Sequence, residues 1–175
     1  KVSPTYSIIT NIDQEHMDYY KSMNVLKELF IKFVEKTPSF GKSFICLDDK
    51  NNREIIKKIK SKNYLTYGTS EISNFRIQNI SEQSGFSKFD LKISLLGKKK
   101  LYIKNIKIPL IGLHNIRNAT AAIAVCHSIG ISNNFIKKGL LNFKGVQRRF
   151  NFIFNYRGSD FYDDYAHHPT EISEV

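Results

Sequence analysis

Two adjacent carboxylates, two imidazoles and a proline are concentrated near the end of this 175-residue chain, in Asp163-Asp-Tyr-Ala-His-His-Pro-Thr-Glu171. An Asp in such a loop can accept hydrogen bonds from ribose hydroxyls. Pro169 falls where the first turn of a helix tolerates it. Upstream, Gly145-Val-Gln-Arg-Arg-Phe150 carries Arg148 and Arg149. A guanidinium fork suits phosphate oxygens and the charge on a transferring phosphoryl group. Ile111-Gly-Leu-His-Asn-Ile-Arg-Asn118 sets Asn115 and Asn118 on one face of a first helical turn. Carboxamides can pair with the edge of adenine, although in isolation Asn115 reads as an ordinary N-cap and Asn118 as solvated. Thr10-Asn-Ile-Asp-Gln-Glu-His16 follows a short apolar run, and His16 could offer a neutral imidazole to a metal. Alone, a His at a helix start is more often a capping or surface residue.

The elements that must position these side chains follow from apolar patterning. Tyr6–Thr10, Ser43–Leu47 and Tyr64–Tyr67 read as buried strands. Apolar residues recur at Val25, Leu26, Leu29, Phe30, Phe33 and Val34, predicting one helix from Glu15 to Lys36, and Asn52–Ile59 predicts a shorter one. Strand, helix, strand, helix, strand is the pattern of a parallel sheet covered by helices, which binds ligands beyond the carboxyl ends of its strands. After Gly68 the pattern changes: Phe75–Ile80, Ser87–Leu95 and Leu101–Leu110 alternate, as half-exposed antiparallel strands do. Helices are predicted from about Asn115 to Ile129, stopped by Gly130, and from Ser132, as cap, to Leu141. Phe152–Phe154, a Tyr156-Arg-Gly158 turn and Asp160–Asp163 read as the opening hairpin and first βα turn of another α/β domain.

Composition bounds the function classes. Hydrophobic residues at 41% and aromatic residues at 13% predict a packed core. No apolar run reaches the length of a membrane span, and no secretory signal pattern opens the chain. Cys46 and Cys126 lie far apart in apolar settings, which predicts two buried, reduced thiols and neither a disulfide nor a zinc site. The net charge of +11 raises nucleic acid as a partner. The lysines are diffuse, however, and the one dense run, Lys98–Lys100, reads as a solvated hairpin turn after Gly97. A nucleic-acid module would need a clustered basic face with stacking aromatics. The adjacent histidines are also wrongly spaced for a His-Glu-x-x-His metallohydrolase. Neither nucleic acid nor membrane is expected as a partner. Lys1 at the start and a helix barely begun at 169–175 read as cut ends, so a fragment is expected.

In their order and spacing, the four segments resemble the Mur ligases. The motifs are Thr-Asn-Ile…His at 10–16, Gly-x-His-Asn-x-x-Asn at 112–118, Gly-Val-x-Arg-Arg-Phe at 145–150, and the segment at 163–171. The last is close to the Asp-Asp-Tyr-Gly/Ala-His-His-Pro-Thr-Glu signature of the family's L-alanine-adding branch. The resemblance implies an α/β fold: a P-loop-type, parallel-sheet central domain over 1–146, incomplete and with an antiparallel region, then the start of a Rossmann-like domain over 147–175. It implies a bacterial cytoplasmic ligase that uses ATP and Mg2+ to join L-alanine to UDP-N-acetylmuramate through an acyl phosphate, in peptidoglycan precursor synthesis. By the same resemblance His16 helps hold magnesium near the γ-phosphate, and Asn115 and Asn118 contact adenine. Arg149 reaches the ATP phosphates, Asp164 binds ribose, and Tyr165 and His167 lie near the incoming amino acid. Two features depart from the family pattern. The phosphate-cradling Gly-x-x-x-x-Gly-Lys-Ser/Thr loop is absent, since Gly41-Lys42-Ser43 lacks the upstream glycine. Glu15 stands where the family pattern has Asp. That loop precedes the Thr-Asn-Ile segment in the family, so the chain is expected to begin inside the central domain and to be inactive alone. A sister ligase that recycles a murein tripeptide shares the His-His-Pro segment; Phe150 and Thr170-Glu171 lean toward the alanine adder.

Overall fold

Phe44, Ile45 and Cys46 are consecutive and all buried, which a strand achieves only where both faces of its sheet are covered. The computed structural model describes residues 3–15 and 17–174. Six strands form one sheet in chain order: β1 (Tyr6–Ile9), β2 (Lys42–Cys46), β3 (Tyr64–Gly68), β4 (Phe75–Gln83), β5 (Phe86–Ile93) and β6 (Leu101–Ile108). β1 to β4 run parallel, and β5 and β6 add antiparallel pairs. This is the α/β class that the patterning predicted, with the two regions fused into one continuous sheet. β3 and β4 pair only through Tyr67↔Phe75 and Gly68↔Arg76. The Asn74 side chain extends the join: its Oδ1 accepts from the Thr66 N–H at 2.9 Å, and its Nδ2 donates to the Ser94 carbonyl at 3.0 Å. One amide thus satisfies backbone groups at a point where the connection is too short for a helical crossover.

One face of the sheet carries α1 (Met17–Tyr20), α2 (Met23–Glu35) and α3 (Lys50–Ile56), with Leu26, Val34 and Ile55 packed against Ile9 and Ile45. The other carries α4 (Leu113–Ser128) and α5 (Asn133–Leu141), with Ile116, Ala121, Ile123 and Ile136 packed against Phe44, Cys46, Tyr67 and Leu91. Each fully buried large apolar side chain contributes about 1.5–3 kcal/mol. Ala121 and Ala124 leave room for α4 to lie close to the strands.

Several boundaries differ from the predicted ones. The single helix expected over Glu15–Lys36 is broken: Lys21 takes a φ of 63°, and Ser22 caps α2 by accepting from the Val25 N–H at 3.3 Å. Within the predicted stripe Leu26 and Val34 are buried, whereas Val25, Leu29 and Phe33 remain exposed. α3 begins at Lys50, because the Asp49 side chain accepts from the Asn52 N–H at 2.7 Å. α4 begins at Leu113, after Gly112, so Asn115 lies inside the helix and is not its cap.

β7 (Asn151–Tyr156) and β8 (Ser159–Asp163) form a separate two-stranded sheet. Arg157 and Gly158 have φ of 48° and 82°, the doubly left-handed two-residue turn that matches strand twist. α6 (Pro169–Glu174) begins at the proline as expected. Lys98 to Lys100 are solvent-exposed beside the Gly97 turn. Both cysteines are free; Cys46 is buried, but Cys126 is only half-buried, short of the burial predicted for it. Among the described residues no helix is long and apolar enough to cross a membrane.

Candidate functional site

The carboxyl ends of β2 and β3 meet the start of α4 around one carboxylate. Asp48, just past β2, accepts from both the N–H and the hydroxyl of Thr69 through Oδ1, each at 2.9 Å. Its Oδ2 accepts from Arg117 Nε at 2.8 Å, and the Asp48 side chain is only 6% exposed. Gly68 permits this approach, since a Cβ there would stand 2.6 Å from Asp48 Oδ1. A second contact fixes the N-terminus of α4: the Gly112 N–H donates to Glu82 Oε1 at 2.8 Å. The Ser87 hydroxyl donates to the Leu110 carbonyl at 2.7 Å just before it. Gly112 has a φ of 96°, and a side chain there would collide with the His114 ring.

Asn115 and Asn118 project from this anchored turn. The Asn115 Nδ2 donates back to the Ile111 carbonyl at 2.7 Å. Asn118 is exposed, and among the described residues its carboxamide makes no hydrogen bond. The loop after β1 is gripped by two buried amides of α3. Asn52, fully buried, donates through Nδ2 to the carbonyls of Thr10 and Cys46 at 3.1 and 3.0 Å. Asn51 donates to the Ile12 carbonyl at 2.6 Å. His16, the residue assigned to the metal, lies outside the described residues. Among the described residues no group of three or more His, Cys, Asp or Glu side chains converges to hold an ion.

The last motif folds against the Arg-Arg-Phe junction. Asp164 accepts from the Phe150 N–H through one oxygen and from the Ala166 N–H through the other, both at 2.7 Å. The Ala166 N–H, followed by that of Phe150, holds its carboxyl below the usual range, and the charges of Arg149 and His114 add to the effect. The Tyr165 N–H donates to the Arg148 carbonyl at 2.8 Å. Arg148 sits 3.5 Å from Asp163 and lies over the Tyr165 ring. Arg149 is exposed, and among the described residues its guanidinium makes no ion pair. His167 Nδ1 is 2.9 Å from the Tyr165 carbonyl, and its ring stands edge-on to Tyr165. Glu171 accepts from the N–H groups of His167 and His168, which lowers its pKa and caps the approach to α6.

The structure therefore gathers Asp164, Tyr165 and His167 with the Arg148–Phe150 junction, and sets Asn115 and Asn118 on one anchored helix start. Asp48, Thr69, Arg117, Glu82, Asn51 and Asn52 were missed by the sequence reading. Asp48 alone had a usable signal, as an acidic residue at the carboxyl end of a parallel strand.

The family described as Mur ligase middle domain matches residues 1–126. Over 174 residues the chain is 67% identical to the UDP-N-acetylmuramate–L-alanine ligase of Pelagibacter ubique (strain HTCC1062), covering 99% of this chain and 38% of that protein. Among solved structures, it superposes with a TM-score of 0.74 and 28% identity on UDP-N-acetylmuramate-alanine ligase MurC from Thermotoga maritima, covering 98% of this chain and 37% of that one. MurF from Acinetobacter baumannii gives a TM-score of 0.80 at 24% identity, covering 98% and 36%, a likeness of fold. The chain thus spans less than two-fifths of the length of each of these three proteins.

Proposed function

Since this chain belongs to the Mur ligase family, we propose that it serves in an ATP-dependent ligase joining L-alanine to UDP-N-acetylmuramate in peptidoglycan precursor synthesis. The observation that carries this reading is the 67% identity, along 99% of the chain, to a ligase of that name. Residues 1–146 are the central nucleotide-binding domain, and 147–175 open the domain that follows. The reaction belongs to the cytoplasm, where its nucleotide substrates are.

The proposed chemistry has two steps. The lactyl carboxylate of UDP-N-acetylmuramate attacks the γ-phosphorus of ATP, ADP leaves, and an acyl phosphate forms. The L-alanine amine then attacks the acyl carbon, the amine loses a proton, and inorganic phosphate leaves as the amide forms. Asn115 and Asn118 orient adenine by their carboxamides, and Asn118, whose carboxamide makes no hydrogen bond among the described residues, is open to solvent for that role. Asp164 is ionised at neutral pH, and a carboxylate that accepts one N–H at each oxygen keeps lone pairs for ribose hydroxyls. Of the paired arginines, Arg148 is held by Asp163 and Tyr165, so Arg149 is the one available to phosphate oxygens. Tyr165 and His167 line the approach of the amino acid. Magnesium, when bound beside His16, neutralises phosphate charge.

The test is ADP release by the full-length protein, with each substrate withheld in turn. The reading expects release only when UDP-N-acetylmuramate and L-alanine are both present. Efficient turnover with a murein tripeptide, and little with L-alanine, would replace it by the recycling ligase.

A further inference from the structure

We propose that Asp48 and Arg117 are positioning residues for nucleotide binding, holding the start of α4 so that Asn115 and Asn118 meet adenine in one fixed register. The inference rests on the adenine role given to those two residues. Arg117 lies between them in sequence, but at 3.6 residues per turn it leaves the helix about 160° from Asn115 and about 100° from Asn118. It can therefore tie α4 down to the sheet without blocking the face that carries the two carboxamides.

The tie is directional where the rest of the packing is not. Ile116 is buried and draws α4 onto the sheet, yet apolar contact alone lets a helix rock or slide. The first turn has no side-chain cap and would otherwise fray. Two contacts flank Asn115: Glu82 on the Gly112 N–H at 2.8 Å, and Asp48 on Arg117 Nε at 2.8 Å. Asp48 is itself fixed, since Thr69 donates twice to its other oxygen. The arrangement joins the carboxyl ends of β2 and β3 to the helix through one carboxylate that is 6% exposed. Burying a charge is a costly way to gain stability, and apolar packing would serve that end better. Geometry accounts for the pair where stability does not.

The experiment uses the full-length protein, with Asp48→Asn/Arg117→Leu as the main variant, because it removes both charges and leaves an oxygen for Thr69. Melting temperature, ATP affinity and the KM of each substrate are measured beside the parent. The expected result is a parental melting temperature, an ATP KM raised about tenfold, and a UDP-N-acetylmuramate KM changed less than about twofold. Arg117→Lys, which still reaches Asp48, should keep the ATP KM within about threefold of the parent. A double variant with parental ATP affinity overturns the proposal. If that variant does not fold, Arg117→Gln carries the same expectation for the two KM values, at a lower melting temperature because the Asp48 carboxylate stays buried without its cation, and a parental ATP KM there equally overturns the proposal. A parent that binds no ATP removes the nucleotide reading itself and this proposal with it, a result distinguishable from the one that sinks the pair alone.

Discussion

Asp164 illustrates how one side chain can have two assignments. Its type and place in the last motif suggested ribose, and the fold adds a structural task, closing the turn from Phe150 to Ala166. Phe150 and Arg148 have φ of 50° and 57°, a left-handed conformation that disfavours these side chains unless something holds the loop. The carboxylate is that something. Its pKa is lowered in the folded state, so its contribution is fully present above the ordinary value of 3.8 and is lost as pH falls through the lower folded value. We expect a carbon-13 titration of the Asp164 carboxyl to show a midpoint below 3.8, with the Phe150 and Ala166 amide signals moving in the same transition. A midpoint at or above that value would mean that neither amide binds the carboxylate in solution. At this scale the sequence was legible where a residue's chemistry is unusual for its setting. It was silent on the pairing of Asp48 with Arg117, because partners 69 positions apart leave no mark on a local pattern.

Elements were read most securely where periodicity and burial coincide. The strands β1 to β6 and the helices α3 to α5 were legible from alternation and from apolar stripes. The break between α1 and α2 was not, because the apolar stripe begins only at Val25 and leaves the chain before it, with Lys21 and Ser22, unmarked by any periodicity. Nor was the joining of the parallel and antiparallel strands, where the Asn74 amide extends a backbone pairing of only two residues. Asn52 has a similar task at the other end of the sheet, where it holds β1's exit loop to β2. Removing it leaves the Cys46 carbonyl, in a buried bond, and the Thr10 carbonyl, in a half-buried one, each short of a donor, while also removing its own unpartnered Oδ1. Asn52→Ala should therefore destabilise by about 2 kcal/mol, read as a lower urea midpoint at constant slope. A change within about 0.5 kcal/mol would show that the loop needs no such clamp.

In the molecule as a whole, the six-stranded sheet has helices on both faces, while among the described residues no helix packs a buried core against the β7–β8 hairpin. Phe152, Ile153, Phe154, Phe161 and Tyr162 are all exposed, on a two-stranded unit of a kind that is marginal by itself. If 147–175 open a separate domain, deleting them should leave the cooperative melt of 1–146 in place, with its midpoint shifted by less than about 4 °C. The isolated 147–175 peptide should show no cooperative transition. Loss of the melt on deletion would place the hairpin inside the first domain. Fold class and the diffuse character of the basic charge were legible at this scale from composition and element order. How much of the hairpin stays uncovered was not, since a strand's sequence does not say which neighbour shields it.

The covering of β2 and β3 by α4 also orders events in time. Phe44, Cys46 and Tyr67 lie in the first half of the chain, but the helix that shields them ends at Ser128. A ribosome releases the bare apolar face well before its cover. β4 to β6, joined by short turns, can close as soon as they emerge. The nascent chain thus offers a finished meander beside an unfinished parallel edge, and for that interval it exposes the kind of apolar surface that promotes aggregation.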